Sequence, residues 1–181
     1  MTTFDTLVER NQEFAAHHFP RDLSMMPTLR AMIIGCVDPR VDPAHVFGLG
    51  PGEAIVIRNI GGRITPATLE TMAMLGRIAQ GEGGPPTGFH LVVLHHTHCG
   101  ITHLDQHPDM LASYFGIDPE ELTAKAVTDP HAAVAVDVAM LKSIPALPSN
   151  WLVSGLVYDV TTGQVEVVVP PAPLASPGGH E

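Results

Sequence analysis

Two cysteines, Cys36 and Cys99, and a crowd of histidines are the residues of this chain best suited to chemistry. Six of its 11 histidines (His90, His95, His96, His98, His103 and His107) fall close around Cys99. Two thiolates and one imidazole make a tetrahedral zinc set, with the fourth position open for water or another ligand. His96 and Cys99 stand three apart in HTHC, a separation that lets both bind one ion across a turn. Gly100 permits a tight turn into a following helix, whose N-terminal dipole would favour the Cys99 thiolate. Around Cys36 the sequence is CVDPR, and alternation puts Cys36, Asp38 and Arg40 on one side of an extended segment. An Asp held by Arg beside a metal could orient a bound hydroxide or occupy the metal itself. The plainer alternatives are that the cysteines are small buried hydrophobes and that Asp38 and Arg40 form a surface ion pair in a turn.

Such a set needs elements that bring distant residues together. Residues 29–36 (LRAMIIGC), 53–58 (EAIVIR) and 89–95 (FHLVVLH) are short, nearly continuous apolar runs, the pattern of buried parallel strands. Cys36 closes the first and His96 follows the third. If those two strands are neighbours, Cys36, His96 and Cys99 converge beyond their carboxyl ends, where open α/β sheets gather functional groups. Helical periodicity marks 4–19, with Phe4, Leu7, Val8, Phe14 and Phe19 apolar, and Pro66 to about Gln80. A helical turn is expected within 41–50 and a loop at 81–88 (GEGGPPTG). After Cys99 the chain reads as mostly helical to about Ile144, with breaks near Pro108, Pro119 and Pro130. Residues 151–158 and 164–169 flank a Thr-Thr-Gly turn and suggest a terminal hairpin. The expected architecture is a single α/β domain over 1–169. Its central sheet is mostly parallel, flanked by helices, with an antiparallel edge strand near the C-terminus. A Pro/Gly-rich tail over 170–181 is expected to be extended or disordered.

Composition narrows the partners. The chain has 181 residues, 45% of them hydrophobic, enough for a sizeable core, and only 5% aromatic, so Val, Ile, Leu, Met and Ala must build it. A formal net charge of −10 without any basic run argues against nucleic acid and anionic membranes. No apolar run is long enough to cross a bilayer. The first residues lack the apolar stretch of an export signal, so a cytoplasmic protein with reduced thiols is expected.

These motifs together resemble the β-class carbonic anhydrase family. That family carries Cys-x-Asp-x-Arg after its first strand, here Cys36, Asp38 and Arg40. An Arg-Asn-x-Gly-Gly segment follows its second strand, here Arg58 to Gly62, and a His-x-x-Cys-Gly pair its third, here His96, Cys99 and Gly100. The strand, Tyr-Asp and Thr-Gly turn of its C-terminal part match Gly155 to Gly163. Departures are Pro39 where Ser is common, Ile60 where Ala is common, and a Gly/Pro-rich insertion before the third strand.

The resemblance implies zinc on Cys36, His96 and Cys99, with water or, conditionally, Asp38 as fourth ligand. It implies reversible hydration of carbon dioxide to bicarbonate and a proton by zinc-bound hydroxide. Two thiolates should make that water less acidic than three imidazoles would, so activity should favour alkaline pH. Asp38 would accept a hydrogen bond from the hydroxide, Arg40 would hold Asp38 off the metal, and His98 or His103 could carry the proton away. It also implies a homodimer or higher assembly, with helix 4–19 as an arm on the neighbouring subunit. Three other readings remain: a hydrolase of carbonyl sulfide or carbon disulfide on the same zinc site, a zinc-binding regulatory protein without turnover, and a thiol-redox module. The last is the weakest, because the chain has no Cys-x-x-Cys.

Overall fold

The computed structural model describes residues 1–83 and 87–174. Part of the 81–88 loop and residues 175–181 of the expected tail lie outside them. The elements run α1 (Thr3–His17), β1 (Ala31–Cys36), α2 (Pro43–Val46), β2 (Ala54–Asn59), α3 (Pro66–Gly81), β3 (His90–His96), α4 (Pro108–Phe115), α5 (Pro130–Lys142), β4 (Leu152–Tyr158) and β5 (Val165–Pro173). Short 3₁₀ segments cover Ile60–Gly62, Gly100–Gln106 and Pro119–Lys125. The five strands form one sheet in the order β2-β1-β3-β4-β5, parallel except for the antiparallel β4–β5 pair.

β1 and β3 are therefore adjacent, as convergence of the cysteines and His96 requires. They are also the most deeply buried strands, because a central parallel strand has both faces covered. Met32, Ile33 and Ile34 of β1 and Leu91, Val93 and Leu94 of β3 are all buried. On one side α5 presses Val134, Val138 and Leu141 onto the sheet, together with Trp151 and Val153. A second cluster gathers over the carboxyl ends of the strands, where Leu111 and Phe115 of α4 meet Val41, Ile101 and Val127 around the two cysteines.

Two expectations change. β5 does not stop at Val169 but continues through Pro170, Pro171 and Pro173, and the buried Leu174 donates its N–H to the Trp151 carbonyl. Proline is tolerated there because β5 is an edge strand and needs no donor on its open side. The helix expected after Cys99 begins as the 3₁₀ segment Gly100–Gln106, and α4 starts only at Pro108. At the opposite end of the chain, α1 is fixed by a capping box between Thr2 and Asp5, yet it buries none of its residues.

Candidate metal centre

β1 delivers Cys36 and β3 delivers His96 to the same edge of the sheet, and the turn through Thr97 and His98 brings Cys99 back over it. All three are buried, and their donor atoms lie within 4.8 Å of one another. The Cys36 and Cys99 sulfurs are 3.8 Å apart. Zinc–sulfur bonds of about 2.3 Å give a tetrahedral S–S edge of about 3.8 Å, so the pair is already spaced for one ion.

The imidazole is set to match. Its Nδ1 bonds the Thr97 carbonyl at 2.9 Å, so that nitrogen carries the proton and Nε2 presents a lone pair. Nε2 is buried and has no hydrogen-bond partner. An orphaned buried acceptor is costly in a finished core, but a metal cation resolves it. The donor set fits zinc, and the Cys₂His count leaves one coordination position for water.

The sulfurs differ in environment. Cys36 Sγ accepts the backbone N–H groups of Gly61 (3.3 Å) and Asp38 (3.4 Å). A hydrogen bond from Cys99, with these amides, pulls the Cys36 thiol well below the ordinary range against the opposing effect of burial. Bonding to Cys36 and burial push Cys99 up. A divalent cation bound by both sulfurs would take the place of thiol protons.

Asp38 is not part of the donor cluster. The CVDPR segment is a turn rather than an extended stretch, since the Val41 N–H reaches the Asp38 carbonyl. Arg40 folds back on Asp38, donating from Nε (3.0 Å), Nη2 (2.6 Å) and its backbone N–H (2.9 Å). These bonds hold the Asp38 carboxyl down to about 2. Arg40 Nη2 also donates to the His98 carbonyl, tying the dyad to the loop that carries Cys99.

Arg58, known from the sequence only as part of a motif, clamps the same loop. It donates to the carbonyls of Cys36 (2.8 Å) and Asp38 (2.7 Å) and pairs with Asp42 (2.6 Å). Asn59 brackets the next turn, donating to the Arg63 carbonyl and accepting the Arg63 N–H. Gly62 sits at φ +68° where a Cβ would lie 2.9 Å from the backbone of both β1 and β3. Only glycine lets this turn close against the strand ends.

A cavity of about 50 Å³ opens beside the donors, lined in part by Gly61, His96, His98, Cys99, Ile101 and Thr102. Of the two expected proton carriers, exposed His98 borders it and exposed His103 does not.

Residues 31–115 match the family model described as carbonic anhydrase. The chain is 31% identical to a carbonic anhydrase of Streptococcus mutans of known structure, over 93% of this chain and 98% of that one, with a TM-score of 0.70. The chain belongs to the β-class carbonic anhydrase family. It is 27% identical to β-carbonic anhydrase 1 of Mycobacterium tuberculosis across 94% of its length and all of the relative's. It is also 26% identical to the carbon disulfide hydrolase of Saccharolobus solfataricus, over 87% of this chain and 85% of that protein.

Three deeply buried polar residues behind the donors have no role in the sequence reading: Arg63, Asp137 and His95, the last named only as one of the histidines around Cys99. One signal was available for Asp137, a lone acid inside the apolar helical run AAVAVDVAM. For Arg63 and His95 the sequence offers none, because their burial depends on α5 crossing the sheet.

Proposed function

We propose that this member of the family is a zinc enzyme that hydrates carbon dioxide reversibly, CO₂ + H₂O giving HCO₃⁻ + H⁺, with Cys36, His96 and Cys99 holding the metal. The observation that carries the reading is the Asp38–Arg40 dyad standing beside a Cys₂His donor set whose imidazole nitrogen lacks a partner. Zinc held there would supply a water acidic enough to yield hydroxide near neutral pH.

The chain's own residues then divide the remaining work. Asp38, kept ionised by Arg40, accepts a hydrogen bond and so orients the nucleophile. Arg40 occupies both carboxylate oxygens and keeps Asp38 from swinging onto the metal. The small cavity is of a size for a linear three-atom substrate. His98, exposed at its rim, passes the proton to buffer, as imidazole can.

Carbonyl sulfide or carbon disulfide is the second reading, supported by the carbon disulfide hydrolase relative. Those molecules are also linear and open to attack by the same nucleophile. Stopped-flow hydration of CO₂ beside a carbon disulfide assay on one zinc-loaded preparation separates the two. Fast CO₂ hydration with negligible sulfide release is expected, and the reverse would replace the first reading with the second.

The assembly we infer is a homodimer or larger, located in the cytoplasm. Exposed Phe4, Leu7 and Phe19 on or beside α1 support it, as apolar surface that a neighbouring chain could cover.

A further inference from the structure

Behind the metal donors, α5 places a carboxylate where an apolar side chain would be easier to bury. Asp137 is wholly inaccessible, among Val134, Val138 and Leu141 of the same helix. It accepts from Arg63 Nε at 2.7 Å and from the backbone N–H of Ile64 at 3.3 Å. His95 Nε2 lies 3.2 Å from the same oxygen, close enough for charge contact but off the hydrogen-bond direction. Arg63 is itself 1% exposed, donates to the Lys125 carbonyl and lies 4.9 Å over the Phe115 ring.

A buried ion pair is weak evidence for stability, because desolvation offsets the attraction and apolar replacements often do as well. What the pair touches is more telling. Arg63 and Ile64 directly follow the Gly61–Gly62 turn, and the Gly61 amide is a donor to Cys36. His95 directly precedes His96. Asp137 thus grips the chain on both flanks of the metal donors, from an element that supplies no ligand.

We propose that Asp137, with Arg63, is a positioning residue for the metal centre: it holds the Gly61 amide against the Cys36 sulfur and fixes the end of β3 that carries His96. This rests on Cys36, His96 and Cys99 being the zinc donors. A thiolate that accepts an N–H bond donates less charge to its metal, so the pair sets both affinity and donor strength at Cys36. Partners one step removed from a ligand commonly govern metal affinity by about 10–100-fold.

The test separates positioning from mere structure. Arg63→Met combined with Asp137→Leu removes the charges together and refills the volume, so stability should be largely kept. Zinc affinity, measured by competition with a chromophoric chelator, should still fall about tenfold or more. In the cobalt-substituted protein, the sulfur-to-metal charge-transfer band should move to longer wavelength as Cys36 loses its donor. Wild-type zinc affinity and an unmoved band in that double variant would overturn the proposal. Should the double variant not fold, Asp137→Asn decides by the same two readouts, and native values for both would again overturn it. A wild-type chain that binds zinc but hydrates no CO₂ would end the proposed activity while leaving this test intact. A wild-type chain that takes up neither metal would end both.

Discussion

At the carboxyl ends of β1 and β3 the molecule is polar, buried and closely bonded, whereas at the amino ends of the strands it is apolar and open. Among the described residues, the buried side-chain nitrogens without a hydrogen-bond partner are Arg63 Nη1, His95 Nε2 and His96 Nε2, and all belong to the carboxyl end. The amino end holds a groove of about 500 Å³ lined by residues such as Met25, Met26, Ile55, Met72, Phe89 and Trp151. Elsewhere, α1 buries none of its residues and exposes Phe4, Leu7 and Phe14. One end presents donor atoms grouped for a single cation and the other presents apolar surface to solvent. The difference teaches that one chain can gather its chemistry in a closely bonded interior while leaving apolar surface exposed elsewhere.

The largest effect should come from breaking the carboxyl end outright. Cys36→Ser and Cys99→Ser each exchange a thiolate for a poor zinc ligand, so elemental analysis should find zinc falling from about one per chain to near none. Hydration should fall to the uncatalysed rate with it. Full metal retention in both variants would show that the convergence of these sulfurs is incidental.

A smaller but still large effect should follow from leaving the metal and disturbing the dyad. Asp38→Asn keeps the shape and weakens the acceptor, while Arg40→Ala frees the carboxylate to swing towards the metal. Loss of one oriented hydrogen-bonding partner costs on the order of 10²–10³ in rate. Both variants should keep zinc and lose at least about tenfold in CO₂ hydration, a floor below that range. Near wild-type turnover in either would reduce the pair to a turn-stabilising contact.

The two ends were not equally legible in the sequence. The carboxyl end could be read because its ligands fall at fixed spacing beside strands whose apolar runs are unmistakable. Alternation of strands and helices gave the mostly parallel sheet with its antiparallel edge, but the strand order, with β1 beside β3, came only from the structure. The dyad's residues were legible, but its geometry was not: Asp38 accepts the Arg40 N–H and the segment turns, where alternation had suggested an extended stretch. β5 was cut short because proline breaks interior strands, and nothing local says that a strand is at an edge. Asp137 stayed hidden because its meaning depends on Arg63 and His95, which only the packed sheet brings to it.

The exposed apolar surface is tested by charging α1. Leu7→Glu with Phe14→Glu places carboxylates on that surface without touching the sheet or the donors. Each apolar side chain buried at an interface contributes about 1.5–3 kcal/mol, so two lost from each arm should dissociate the assembly at micromolar concentration. Sedimentation should give at least twice 19.3 kDa for the wild type and close to 19.3 kDa for the variant. A wild-type mass near one chain would refute the oligomer. Unchanged zinc content in the variant would sharpen the contrast, since the metal end should assemble without help from α1.

The smallest effect expected is a change in acid sensitivity at Asp137, which asks whether the carboxyl end depends on its buried charge for stability. Burial pushes this carboxyl up, but contact with His95 and the charge of Arg63 outweigh it and leave it below its ordinary value. A carboxyl depressed in the folded state lends stability above its unfolded value, about 3.9, and loses it as the pH falls from there towards the folded value. Asp137→Asn has no proton to take up. It should therefore be less stable than wild type at neutral pH, because Arg63 is left buried without its counter-ion. Below about pH 4 its stability should fall less steeply with pH than that of wild type. Urea midpoints of both proteins, each stripped of metal, between about pH 6 and pH 3 give the comparison, so that a difference in zinc affinity does not enter the curves. Parallel curves would mean that Asp137 takes up the same proton folded and unfolded, and that the charge of Arg63 does not reach it.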